Sequence, residues 1–136
     1  MNPLFIRLLI AVLLIGLSFC IYAADKVVIP SKNVLVVGDS LSAAFGMDQE
    51  EGWVAMLKHR LAQPYYGLKV INASISGETT QGGLSRLQEL LDKHDPIIII
   101  LELGGNDGLR GLPLTLMKDN LDRMLAMITK RKIKVL

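Results

Sequence analysis

Apolar positions along the chain fall into two kinds of run. Residues 33–37, Asn-Val-Leu-Val-Val, and 97–101, Ile-Ile-Ile-Ile-Leu, are continuous and rich in β-branched side chains. Such runs belong to strands covered on both faces in the middle of a parallel sheet. Shorter stretches at 68–71 and 133–136 read as two further strands. Between the strands the apolar period lengthens toward that of a helix. Trp53, Val54, Leu57 and Leu61 recur at helical spacing over 51–61, and Pro64 limits that helix. Leu84, Leu87, Leu90 and Leu91 mark a second helix, with Thr79 and Thr80 as candidate caps. A third, over 114–129, places Leu121, Met124, Leu125 and Ile128 on its inner face. Strand and helix thus alternate three times. The pattern predicts the α/β class: a three-layer α/β/α doubly wound parallel sheet with right-handed crossovers. Ligands bind such sheets beyond the carboxyl ends of the strands. The segments 38–46, 72–83 and 104–113 therefore hold the candidate chemistry, and they are also where glycines and small polar residues gather.

One apolar run fits neither period. Residues 1–24 contain 19 apolar side chains and a single charge, Arg7, and their uncharged stretch ends on Ala23-Ala24. This is the layout of a secretory signal peptide, dividing the chain into a leader, 1–24, and one domain, 25–136. Ile21 and Tyr22 fit a cleavage site poorly. The uncharged stretch of 17 residues, 8–24, is at the short limit of the roughly 20 that span a bilayer. An uncleaved anchor is the alternative reading, and the one route to membrane contact. The leader also accounts for the high overall apolar content of 51% in 136 residues. Without it, 14 basic and 13 acidic side chains nearly balance. That gives no electrostatic reason to expect a nucleic acid partner. Cys20, the one cysteine, lies within the leader, which excludes an internal disulfide.

The three loops carry matching chemistry. In the first, Gly-Asp-Ser-Leu-Ser, Gly38 lets the chain turn as it leaves the strand and sets Ser40 at the strand's carboxyl edge. In the second, Asn-Ala-Ser-Ile-Ser-Gly-Glu-Thr-Thr, Gly77 can present a bare N–H. In the third, Glu-Leu-Gly-Gly-Asn-Asp-Gly, a glycine-rich turn holds the amide of Asn106. Ser40 N–H, Gly77 N–H and Asn106 NH₂ would make three donors around one point. Such a point suits the oxyanion of acyl transfer, where each well-placed donor contributes about 2.7–4 kcal/mol. Other chemistries fail on spacing. No dinucleotide or P-loop glycine pattern is present, and Ser42 stands where a nucleophile elbow needs glycine. Neither His59 nor His94 has a partner at metal-ligand spacing. Asn72-Ala-Ser74 matches a glycosylation acceptor.

The blocks GDSLS, NASISGETT and ELGGNDGLRG resemble the first three conserved blocks of the SGNH (GDSL) hydrolases, within the bacterial periplasmic thioesterase, lysophospholipase and arylesterase branch. The resemblance runs from about Val34 to Pro113. It implies the flavodoxin-like fold of that family and a nucleophilic Ser40. It also implies that Ser40, Gly77 and Asn106 bind the oxyanion, with no metal or cofactor. The substrate would be a small-molecule acyl ester or thioester, the compartment the bacterial periplasm, and 108–113 a mobile loop gating acyl chains. The family draws its base from an Asp-x-x-His block near the C-terminus, and no such block occurs here. Two-thirds of the family fold is therefore expected, incomplete at the C-terminus, with apolar surface uncovered, marginal stability and a tendency to self-associate. Without the base the chain reads alternatively as a non-catalytic remnant. A carbohydrate esterase on the same scaffold is the third reading. The basic residues Lys130, Arg131, Lys132 and Lys134 read as a solvated helix end, favourable against the helix dipole.

Overall fold

The computed structural model describes residues 32–136, so the leader predicted at 1–24 lies outside the described residues. In chain order the elements are β1 (Asn33–Gly38), a 3₁₀ turn (Gln49–Glu51), α1 (Trp53–Leu61), β2 (Lys69–Asn72) and α2 (Thr80–His94). Then follow β3 (Ile98–Glu102), α3 (Gly105–Leu109), α4 (Leu114–Lys130) and β4 (Lys134–Val135). The strands form one sheet in the order β2-β1-β3-β4, all parallel. Val34 lies between Val70 and Ile98, and Ile99 pairs with Val135.

Side-chain alternation along the strands sorts the helices into two layers. Leu35, Val37 and Ile99 pack with Leu84, Leu87 and Leu91 of α2 and with Met124 and Ile128 of α4. On the other face, Val34, Val36 and Val70 pack with Val54 of α1. From Val34 to Val37 no residue of β1 is more than 1% exposed. The continuous apolar run at 33–37 thus marks the central strand. Its neighbour β3 is less evenly covered. Ile99 is fully buried toward α2 and α4, whereas Ile98 and Ile100 on the α1 face are only half-buried. No helix among the described residues is long and apolar enough to cross a membrane.

Three details differ from the sequence reading. Trp53 is 37% exposed because α1 turns Val54 inward, and its inner stripe continues through Leu57 and Leu61 instead. Leu125 is 39% exposed, and Asn120, Met124 and Ile128 line the inner face of α4 at a spacing of four. The segment predicted as a glycine-rich turn around Asn106 is the short helix α3. Elsewhere the shifts are one or two residues, the helix predicted over 51–61 starting at Trp53. The strands predicted at 68–71 and 97–101 occupy Lys69–Asn72 and Ile98–Glu102. Thr79 caps α2 as expected, its hydroxyl accepting from the N–H of Gly82.

Chain direction decides where a site can form. From β1 the chain moves to β2 on one side, whereas from β3 it moves to β4 on the other. Right-handed connections running in opposite directions place α1 on one face and α2 and α4 on the opposite face. The crevice lies between the two strands at which the direction reverses, here β1 and β3.

Candidate active site

Ser40 follows β1 by two residues and Asn106 follows β3 by four, so both flank that crevice. Asp39 links them. Its Oδ2 accepts from Asn106 Nδ2 at 3.1 Å, and its Oδ1 accepts from the N–H of Leu41 at 3.0 Å. Asp39 is only 3% exposed. Below it, Glu102 at the end of β3 accepts through Oε2 from the N–H of Asp39 at 3.3 Å and from Ser42 Oγ at 2.8 Å. The first loop is thereby fastened to the strand that leads into the third.

The second loop joins by backbone bonds. The N–H of Ala73 donates to Val36 O, and that of Ile75 donates to Gly38 O at 3.0 Å. Asn72 Nδ2 donates to Ser42 O at 2.7 Å, while Asn72 Oδ1 accepts from the N–H of Ser74. Arg86 Nη1 donates to Ala73 O, and Arg86 Nε pairs with Glu78 at 2.7 Å, with both side chains largely shielded from water. Gly77 lies beyond, at φ +79°, in the left-handed region that favours glycine. Arg110, just after α3, donates from Nη2 to Gly77 O at 2.8 Å and ties the second loop to the third. A buried cluster completes the tie. Thr80 donates to Asp107 through both N–H and Oγ1, at 2.8 and 2.6 Å, and Asn120 Nδ2 donates to Thr80 Oγ1.

The three predicted donors are thus carried by loops hydrogen-bonded to one another. Among the described residues nothing accepts from the N–H of Ser40 or from that of Gly77. The Asn106 amide has two N–H bonds to give, and Asp39 accepts from its nitrogen. Three donors therefore retain capacity for a ligand oxygen. The Ser40 side chain makes no hydrogen bond among the described residues. Neither histidine serves it. His59 is exposed and pairs with Glu50 at 3.0 Å. His94 ends α2, and its carbonyl accepts from Asn33 Nδ2 at the first residue of β1. It lies about 17 Å along β1 from the Ser40 end, at ~3.3 Å per residue. A cleft of about 280 Å³ opens beside the first loop, lined by Ser42, Glu50, Val54, Lys58, Asn72 and Ser74, with Ser40, Gly77 and Asn106 outside its wall.

Sequence reasoning passed over Asp39, Glu102, Asp107 and Arg110. The acidic residues stood within the quoted blocks, yet nothing in a single sequence marks a carboxylate that folding will bury. Among the polar residues in the blocks, only their partners from other loops separate them from ordinary turn formers.

A serine and backbone N–H groups without acceptors thus stand at the switch point of a doubly wound sheet. The chain belongs to the GDSL-like Lipase/Acylhydrolase family, which it matches over residues 36–136. It is 49% identical over 106 residues to the esterase TesA of Pseudomonas aeruginosa, across 78% of this chain and 53% of that protein. It is 44% identical over 120 residues to an arylesterase of Vibrio mimicus, across 88% of this chain and 58% of that one. Against the thioesterase 1/protease 1/lysophospholipase L1 of Escherichia coli K12 the identity is 45%, across 72% and 42%. Among solved structures, that of TesA superposes with a TM-score of 0.73 at 50% identity, covering 76% of this chain and 57% of that chain. The psychrotrophic esterase EstA from Pseudoalteromonas, solved inhibited by monoethylphosphonate, gives 0.72 at 42% identity, covering 77% and 57%. The chain spans about half the length of the curated relatives it matches.

Proposed function

We propose that the switch-point site is a serine acyl-transfer centre for esters or thioesters of small molecules. Ser40 Oγ attacks the acyl carbon as its proton passes to a base that residues 32–136 do not supply, and from that base to the departing alcohol or thiol. The negative charge that develops on the carbonyl oxygen is met by Ser40 N–H, Gly77 N–H and the free N–H of Asn106. Collapse expels the alcohol or thiol and leaves an acyl-Ser40, which water then hydrolyses to the free acid. Donors held in place before the reaction cost no reorganisation when the charge forms. The observation carrying this reading is that Ser40 N–H and Gly77 N–H lack acceptors at the switch point, on loops that Asp39, Glu102 and Arg110 tie together. The names of the relatives, esterase, arylesterase and thioesterase, support the ester and thioester substrate class.

The test joins this chain to the part of the Pseudomonas aeruginosa esterase beyond the matched region and follows hydrolysis of a nitrophenyl butyrate. Ser40→Ala should reduce turnover to background, and Asn106→Ala should lower kcat by about 10²–10³. Undiminished turnover in Ser40→Ala would overturn the assignment.

A second reading rests on the positions of His59 and His94, neither of which can take the Ser40 proton. A serine hydroxyl is a weak nucleophile without a base, so residues 32–136 by themselves would hold an acyl group without turning it over. Rapid labelling of Ser40 by a fluorophosphonate in the 136-residue chain would refute this second reading. We further read 1–24 as an export signal placing the domain in a bacterial periplasm. Its support is the apolar run and Ala23-Ala24. N-terminal sequencing of the protein from a periplasmic extract should begin at residue 24 or 25, and recovery of Met1 would refute cleavage.

A further inference from the structure

We propose that Asp39 is a positioning residue for the oxyanion donors: its carboxylate selects which end of the Asn106 amide faces it and leaves the Ser40 N–H outward. The inference rests on the serine reading above and deepens it.

The geometry divides the carboxylate between two tasks. Oδ2 accepts from Asn106 Nδ2, and Oδ1 accepts from the N–H of Leu41, two residues ahead. An ionised carboxylate only accepts. Asn106 must therefore turn its NH₂ toward Asp39, because its carbonyl oxygen would meet another acceptor there. One N–H of that NH₂ is held by Asp39, and the other stays available to a ligand. The bond to Leu41 closes a local turn of the kind Asp forms with the backbone two residues on. It engages the N–H on the far side of Ser40 and leaves the N–H of Ser40 itself without an acceptor. Asp39 is in turn fixed at two further points. Its N–H donates to Glu102, and its carbonyl accepts from the N–H of Ala43 at 2.9 Å.

A buried negative charge beside an oxyanion is electrostatically unfavourable, so a role confined to shaping the turn would be served as well by asparagine. The Asn side chain offers the same oxygen to Leu41. Its second terminal group is an NH₂, which repels the NH₂ of Asn106 and favours the flipped amide. Asp39→Asn therefore separates shaping of the turn from orientation of the amide.

The experiment uses the ¹³C,¹⁵N-labelled 136-residue chain. In the parent protein a through-hydrogen-bond coupling should connect Asn106 Nδ2 with the Asp39 carboxyl carbon, and its absence overturns the proposal without recourse to any variant. In Asp39→Asn the backbone amide resonances of residues 41–44 should stay near their parent positions, while the two Asn106 side-chain protons lose their wide separation. An unchanged Asn106 signal overturns the proposal. In the hybrid that joins this chain to the remaining part of the Pseudomonas aeruginosa esterase, labelling of Ser40 by excess fluorophosphonate should slow by about 10²-fold in the variant, the scale of one lost donor. Equal or faster labelling of Asp39→Asn also overturns it. Labelling in neither protein, with the Asn106 signal altered as expected, counts against the serine reading and supports the hold of Asp39 on the amide.

Discussion

A methyl group added at Gly38 would lie 2.7 Å from Ser42 Oγ and 2.8 Å from Glu102 Oε2. Both atoms are already joined in the hydrogen bond that fastens the first loop. Gly38→Ala should thus cost about 1–3 kcal/mol, the usual range for overpacking, measured as a lower urea midpoint. Gly77 is a different case. A Cβ there has ordinary room, 3.6 Å from Arg110 Nη2, but φ is +79°. Gly77→Ala should lose about 1–2 kcal/mol from the left-handed conformation alone, with packing undisturbed. Sequence reading found Ser40, Gly77 and Asn106 because backbone turns and small polar groups beside strand ends are local features. It could not find Asp39, whose importance depends on Asn106, 67 positions away.

At the scale of elements, the start of α2 is where two loops are locked together. Asp107 sits at the helix N-terminus and accepts from Thr80 N–H, an arrangement that the helix dipole favours. Asp107→Ala would leave the buried N–H and hydroxyl of Thr80 without their acceptor. Each such group costs about 1–3 kcal/mol, so the variant should unfold at clearly lower urea than Thr79→Ala, which loses only a cap of about 1 kcal/mol. Asn120 occupies the inner stripe of α4 for the same reason, since Thr80 Oγ1 gives its amide a buried partner. The hydrophobic pattern favoured Leu125 there, one residue out of phase.

The far ends of α2 and α4 are tied by Arg131, which donates to Asp92. A residue read as part of a solvated helix end thus bridges two helices. The hydrogen bond from Arg131, with one from Gln88, holds the Asp92 carboxyl below its usual range. A carboxyl depressed in the folded state adds stability above its unfolded value and loses that increment as pH falls through the folded one. Arg131→Ala should therefore unfold at lower urea than the parent at pH 7, with the gap closing through the acid titration of Asp92 and narrowing in high salt.

Across the whole molecule, stability rests mainly on the face covered by α2 and α4. Leu87, Leu91, Ile99, Met124 and Ile128 are all fully buried there. Leu87→Ala should cost about 2–5 kcal/mol, much of the 5–15 kcal/mol available to a typical domain. Its urea transition should move correspondingly, or the folded state should be lost at ambient temperature. The opposite face has α1 alone among the described residues, which leaves Ile98 and Ile100 half-buried. Sheet order makes the site global. Only because β1 and β3 are neighbours, with chain directions diverging, do the loops after them meet.

What the sequence determined alone was whatever depends on neighbours along the chain. Runs of branched side chains declare covered strands, leucines at helical spacing declare helices, and glycine, serine and asparagine at strand ends declare where a ligand could be met. The tertiary structure decided which polar groups acquire partners. Burial of Asp39 and Asp107 is tolerable because donors arrive from distant segments, and burying a polar group without a partner costs free energy. The helix phases at Trp53 and Leu125 were settled in the same way, since one residue of rotation decides a helical face and the packed sheet makes that choice.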